Sequence, residues 1–366
     1  MGKKIVIVGP AHPYRGGIAA FSERLAAALQ AAGCEVELIT FTLQYPSFLF
    51  PGKTQYSDSP APEGLHITRL LNSINPFSWI RTARAVRKAG PDLVIYSYWM
   101  PAMAPALGCT ARWSRLKSRS IALVHNLIPH EGHFTDRLLS RFFAKSVSKF
   151  AALSEPVLGD ILELVPDAEC KLLFHPVYDQ FGPAADRSEA CGALGLDPAK
   201  RYLLFFGLIR DYKGLDLLLR AWAASERKAE LIVAGEFYSD GQKYHDLAAE
   251  MGIDDRVIWR TDYIPDSEVR LYFSVADLLV LPYRSATQSG VERIALNYTL
   301  PTAVTRTGAL AEGMTDGRDG IVMDPDPESI CAALNSFYGG WFDFKDELER
   351  KRLRYSWDEF CSKLLK

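Results

Sequence analysis

The six cysteines (Cys34, Cys109, Cys170, Cys191, Cys331 and Cys361) fall singly, with none of the paired spacings that hold a metal. That argues against a zinc site and reads as a reduced, cytoplasmic chain. Acidic residues form no pair with metal-binding spacing, so no metal ligand is assigned. No apolar run approaches the roughly 18–20 residues that a membrane-crossing helix needs. Met1-Gly2-Lys3-Lys4 leads into Ile5-Val6-Ile7-Val8-Gly9, which is too short for a signal-peptide core and has no small-residue cleavage site. It reads better as a first buried strand. An excess of one charge is missing too: 42 Lys+Arg against 44 Asp+Glu leave a net charge of −2. With no nucleic-acid-binding motif either, a nucleic-acid partner is not expected.

What is present is an ordinary globular mixture. The 366 residues are 48% hydrophobic and 23% charged, enough for two domains of usual size. The near-neutral total hides an asymmetry. Through Tyr178 there are 19 Lys+Arg against 13 Asp+Glu, a balance of +6, whereas the remainder holds 23 against 31, a balance of −8. A basic first half and an acidic second half suggest different partners for each.

The most informative stretch is YLLFFGLIRDYKG, from Tyr202 to Gly214. Its apolar run fits a strand buried on both faces of a parallel sheet. Gly207 ends the run, Arg210 and Lys213 follow in a turn, and Gly214 opens a segment of helical spacing. Two cations thus stand at the carboxyl end of a buried strand beside a helix N-terminus. Open α/β sheets bind ligands at that edge, and such a combination holds phosphate. Two solvated charges in a plain turn are the alternative.

In the first half, residues 4–9 form a strand, Gly16-Gly17 close a loop, and a helix runs over 18–32 with Phe21, Leu25 and Leu29 on one face. A strand over 35–40 completes a βαβ unit. The glycine pair is not GxGxxG, so it marks either close backbone approach to a ligand or a tight turn. Residues 41–64 form a long aromatic and proline-rich loop. Tyr45, Phe48, Leu49 and Phe50 there either contact an acceptor or membrane, or fold onto their own domain. Arg81, Arg84, Arg87 and Lys88 share a helix, and Arg137, Arg141, Lys145 and Lys149, four apart, read as one helical stripe. This basic, partly apolar surface is either a solvated face or one that meets anionic lipid head groups. His125 ends the strand over 121–124, at a ligand-binding edge or as a structural histidine.

The second half alternates in the same way, with strands over 229–234, 256–259, 276–282 and 301–305. After the strand over 276–282, residues 283–296 form a small polar loop that opens a helix, whose free N–H groups at Ser289, Gly290 and Val291 would face a phosphate. A last helix begins near Trp357.

These motifs resemble family 4 glycosyltransferases, retaining enzymes of the GT-B fold, over most of the chain. The resemblance implies an α/β fold class: two Rossmann-like domains facing across a cleft. Residues 1–178 would be the acceptor domain, 179–346 the nucleotide-sugar-binding domain, and 347–366 a C-terminal helix crossing back to the first. It matches Arg210 and Lys213 to the pair that holds the donor pyrophosphate in that family. It puts Gly16 and Gly17 near the donor phosphates, His125 near sugar and acceptor, and Tyr263 at the base. It also matches Gly207, Glu312 and the Asp316-Gly317 to Gly320 turn to family positions. One departure is plain. Most members carry two glutamates eight apart, and those positions are Ala286 and Ile294 here. Gln288 and Glu292 are the nearest substitutes and join the expected donor set.

The implied activity is metal-independent transfer of a sugar from a UDP- or GDP-linked donor, used as substrate with no cofactor. The acceptor would be a glycan or lipid-linked molecule in cell-surface polysaccharide synthesis. Arg210 and Lys213 would neutralise the leaving diphosphate. The enzyme would be cytoplasmic, peripheral on the inner face of the membrane through its basic first domain. An epimerase or phosphorylase would carry acidic or lysine-cofactor residues that are not found. A catalytically silent GT-B module or subunit is the other competitor, motivated by the missing glutamates.

Overall fold

The computed structural model describes residues 2–46, 54–57, 60–127, 134–226, 228–286, 289–308, 310–340 and 342–366. The chain forms two compact units, Met1–His175 with Trp357–Lys366, and Pro176–Ser356.

Unit 1 runs β1 (Lys4–Val8), α1 (Gly17–Ala31), β2 (Glu35–Leu43), β3 (His66–Asn72), α2 (Pro76–Ala89), β4 (Leu93–Tyr98), α3 (Ala104–Ser114), β5 (Ser120–Val124), α4 (Phe134–Ala144), β6 (Lys149–Ala152), α5 (Glu155–Leu164) and β7 (Glu169–Leu172). Among the described residues seven parallel strands order as β3-β2-β1-β4-β5-β6-β7. The central strands β1, β4 and β5 are almost wholly buried, as their unbroken apolar runs require. The order reverses between β1 and β4, and connections diverging from such a reversal leave a crevice at the strands' carboxyl ends. Edge strand β3, absent from the sequence reading, is His-Ile-Thr-Arg-Leu-Leu-Asn with mixed burial and no clean alternation.

α2 shows why local signals succeed. Pro76 occupies its first turn, Asn75 accepts from the Phe77 N–H at 3.0 Å, and Gly90 caps its end in the left-handed region at φ 62°. The expected stripe over 137–149 is not one helix. α4 ends at Ala144, and Lys149 begins β6, paired to β5. Four-residue spacing continued by coincidence across a turn and into a strand. Two of its cations are engaged, Arg137 by Glu163 and Lys149 by Glu169.

Unit 2 runs α6 (Arg187–Leu194), β8 (Tyr202–Phe206), α7 (Leu215–Ala224), β9 (Glu230–Ala234), α8 (Gln242–Glu250), β10 (Val257–Arg260), α9 (Asp266–Val275), β11 (Leu278–Leu281), α10 (Gly290–Asn297), β12 (Thr302–Thr305), β13 (Ile321–Met323), α11 (Pro327–Tyr338) and α12 (Lys345–Arg354). Its parallel strands order as β10-β9-β8-β11-β12-β13, so this sheet reverses between β8 and β11. α13 (Trp357–Leu365) belongs to unit 1. Phe21 of α1 meets Trp357 at 5.1 Å and Phe360 at 5.8 Å between ring centroids. The Lys3 ammonium donates to the Leu365 carbonyl at 3.1 Å and that of Lys171 to Leu364 at 3.2 Å, cations satisfying carbonyls that a helix end leaves bare.

The expected returning segment began at 347; the grouping with unit 1 begins at Trp357. α12 stays in unit 2 because Lys351 is anchored there. Its ammonium lies 2.7 Å from Asp319, with side chains 4% and 9% exposed, and Asp319 also accepts from the Thr315 N–H. Removing one partner of a buried ion pair strands the other charge. Lys351→Met should therefore cost about 3–5 kcal/mol in chemical denaturation followed by fluorescence. A loss under about 1 kcal/mol, the range of exposed pairs, would show that the pair is solvated.

Candidate functional site

The site builds outward from the end of β8. Gly207, at φ 94°, donates to Ala234 at 2.8 Å, and the Ile209 N–H donates to Glu236 at 2.7 Å, so the loop continues the pairing with the β9 side. Gly214, at φ 68°, faces the β11 side: a Cβ there would lie 2.0 Å from the Pro282 carbonyl oxygen. Arg284 fastens that side further. Its N–H donates to Tyr212 at 2.7 Å, and its guanidinium grips Asp216 through two bonds of 2.7 and 2.6 Å. The Arg210–Lys213 turn is thus held across the point where the sheet order reverses.

Lys213 is 8% exposed. A Cβ on Gly207 would come within 3.1 Å of its ammonium and 3.5 Å of Val291 Cγ2, so the cation sits beside the first turn of α10. It lies 5.6 Å from the centre of the Tyr283 ring. Arg210 lays its guanidinium carbon 4.0 Å over the Tyr238 ring, and its Nε is buried without a hydrogen-bond partner. Nearby carboxylates are engaged elsewhere: Asp211 by Lys243 and the Tyr244 hydroxyl, and Asp216 by Arg284. Among the described residues, neither Arg210 nor Lys213 makes an ion pair. Burial, then the Arg210 charge, push the Lys213 ammonium down to about 8. Two uncompensated cations beside a helix N-terminus are equipped to bind an anion.

Other expected site residues fall into place unevenly. Ser289 precedes α10 and makes no side-chain cap bond. Gly290 has a packing role: a Cβ there would lie 2.8 Å from the Tyr178 ring. Glu292 is buried and pairs with its neighbour Arg293 at 3.1 Å, while Arg293 rests on the Tyr355 ring at 4.2 Å. Tyr263 is 54% exposed on the loop after β10, and Glu312 is exposed on the turn between β12 and β13. Gln288 lies outside the described residues, as do Phe48, Leu49 and Phe50.

In unit 1, exposed Gly16 caps α1 at φ 118° and ψ 165°, a conformation that glycine supplies, and Gly17 opens the helix. Described parts of the long loop over 41–64 turn back onto this same region. Gln55 exchanges side-chain hydrogen bonds of 3.2 and 3.0 Å with the Tyr45 backbone, and its carbonyl accepts from the Arg15 N–H at 3.0 Å. The Trp99 indole donates to the Tyr45 hydroxyl at 2.7 Å. Gln55 was missed because a polar residue in an irregular loop carries no periodic signal. His125 follows β5. Its Nε2 lies 3.1 Å from Ser97 Oγ, and its ring meets the Phe21 ring edge at 5.0 Å. Burial pushes its imidazole down to about 4, so it is neutral at physiological pH.

Residues 200–339 match the family described as Glycosyl transferases group 1, and 16–176 match the Glycosyl transferase 4-like domain. The chain belongs to the group 1 glycosyltransferases. It is 33% identical over 171 residues to a D-inositol 3-phosphate glycosyltransferase of Mycolicibacterium gilvum (strain PYR-GCK), a match covering 45% of this chain and 38% of that relative's length. A longer match, 26% identical over 354 residues, covers 88% of this chain and 78% of a D-inositol 3-phosphate glycosyltransferase of Streptomyces scabiei (strain 87.22). The Anabaena Alr3699/HepE structure in complex with UDP and glucose superposes with a TM-score of 0.73 at 14% identity, covering 99% of both chains. The architecture is that of two Rossmann-like GT-B domains.

A bound polyanion favours charged Lys213, so affinity for this site should fall as pH rises through about 8, the value set by burial and Arg210. Calorimetry with inorganic pyrophosphate between pH 7 and pH 9.5 reads this directly. An affinity that stays flat over that interval, or a slope that persists in Lys213→Met, would rule Lys213 out as the titrating group.

Proposed function

We propose that this protein transfers a sugar from a nucleoside diphosphate sugar to a glycan or lipid-linked acceptor, with retention of configuration and without a metal. The observation that carries the reading is the pair Arg210 and Lys213, held at a sheet reversal point with no carboxylate to neutralise them among the described residues. In this reading the bond from sugar carbon to diphosphate oxygen breaks and the acceptor hydroxyl oxygen takes its place. The hydroxyl proton passes to the departing diphosphate. Arg210, Lys213 and the first-turn N–H groups of α10 bind the charge that develops there, the largest single contribution expected in such a transfer. His125, neutral, offers a hydrogen bond to sugar or acceptor. UDP in the Anabaena structure supports a uridine donor, and the relatives' names put a phosphorylated cyclitol on the acceptor panel.

The donor test is thermal stability against UDP, GDP, ADP, CMP and their sugars, in wild type and Arg210→Ala/Lys213→Ala. At about 100 times its dissociation constant a real ligand should stabilise by roughly 2.7 kcal/mol, and only in wild type. Absence of any shift would sink the reading. The catalytically silent module keeps one supporting observation, the non-acidic Ala286 and Ile294. Donor binding without turnover on any acceptor would favour it.

The same reading includes a cytoplasmic enzyme that touches the membrane surface. Among the described residues no helix is long and apolar enough to cross a membrane. Phe77 is 82% exposed and Ile74 62% at the start of α2, ahead of exposed Arg81, Arg84, Arg87 and Lys88. Apolar side chains flanked by cations suit anionic head groups. Co-sedimentation with vesicles containing phosphatidylglycerol is expected, with little on pure phosphatidylcholine. Ile74→Glu/Phe77→Glu should abolish it, and equal binding by that variant would exclude this face.

A further inference from the structure

Several cations of unit 2 are held by carboxylates, and some of these also lie over rings, as Arg187 does over Tyr202. Arg284 sits on Asp216, Arg187 on Asp277, Arg306 on Asp324, and both Arg318 and Arg350 on Glu347. Each is neutralised by a carboxylate. Arg210 is oriented by an aromatic face instead, 4.0 Å from the Tyr238 ring, and Lys213 lies 5.6 Å from the Tyr283 ring. A carboxylate fixes a cation and cancels its charge. A ring fixes it through its quadrupole and leaves the charge intact.

We infer that Tyr238 is a positioning residue for the donor diphosphate, acting through Arg210. Its place is set by the backbone that sets Arg210. The Tyr238 N–H donates to the Ile209 carbonyl at 2.9 Å, Ile209 donates to Glu236 at 2.7 Å, and Ile209 bridges Phe237. Ring and guanidinium are therefore presented from two paired segments. Tyr238 is 45% exposed, so its replacement removes little core. Arg210 has a rotamer-rich side chain and a buried Nε without a hydrogen-bond partner, so among the described residues the ring is the contact found for the guanidinium, with no ion pair beside it. The sequence gives no hint of this, since Tyr238 lies outside every motif and on a different loop from Arg210.

The inference rests on the diphosphate reading above, and its test separates the two. Titration calorimetry would measure inorganic pyrophosphate and UDP against wild type, Tyr238→Phe, Tyr238→Leu, Arg210→Gln and the double variant Arg210→Gln/Tyr238→Leu, each checked for an unchanged melting temperature. Tyr238→Phe should bind within about twofold of wild type, since the ring is kept. Tyr238→Leu should lose about two- to thirtyfold, the range a cation–π contact supplies. The double variant should bind no worse than Arg210→Gln alone, because two residues acting through one contact are not additive. Salt dependence should be as steep in Tyr238→Leu as in wild type, since the charge remains, and shallower in Arg210→Gln. Wild-type affinity in Tyr238→Leu, an equal loss in Tyr238→Phe, or fully additive losses would each overturn the inference while leaving the diphosphate site standing. Failure of wild type to bind either ligand would remove the diphosphate reading and this inference with it.

Discussion

The candidate site depends on a missing atom. Gly214 brings its backbone so near Pro282 that a side chain there would collide with the carbonyl, and its positive φ suits no other residue well. That contact lets the loop leaving β8 lie against the end of β11, its neighbour across the sheet reversal. Beside it, Arg284 bonds both Tyr212 and Asp216, and these contacts together fix the turn carrying Arg210 and Lys213. The chemistry is one of position: two cations are common, but two cations fixed at a crevice are not.

Charge partition completes the design. Asp211 lies in the same turn as the two cations and Asp216 in the first turn of α7, both close enough in sequence to have neutralised them. Both face other partners, Lys243 and Arg284. The surrounding network thus consumes the acidic groups and leaves the basic ones open. Lys213 bears the cost as a weakened hold on its proton, which an incoming anion would restore.

Much of this was legible from the sequence, for identifiable reasons. Buried parallel strands announce themselves as apolar runs, so β1, β4, β8, β9 and β11 were expected nearly where they stand. Gly90 and Gly214 mark their turns because few residues tolerate positive φ. Edge strand β3 was missed because half-exposed positions carry little pattern. The false stripe over 137–149 shows the opposite failure, a period read through a chain reversal. Arg210 and Lys213 could be named in advance, but Tyr238 and Gln55 could not. Those two are marked by contacts with other segments, and contact is a property of the folded chain. Glu292 looked available from its spacing and is occupied by Arg293 in the structure.

The docking of α13 has a consequence for how the chain is made. Phe21 touches the ring of His125 and those of Trp357 and Phe360. The packing around His125 therefore uses a segment translated after the whole of unit 2. While the ribosome is building residues 176–356, unit 1 waits with an aromatic socket uncovered and with Lys3 and Lys171 lacking the carbonyls they will cap. The nascent first domain must tolerate that interval, because its closure waits for residues made after the whole of unit 2.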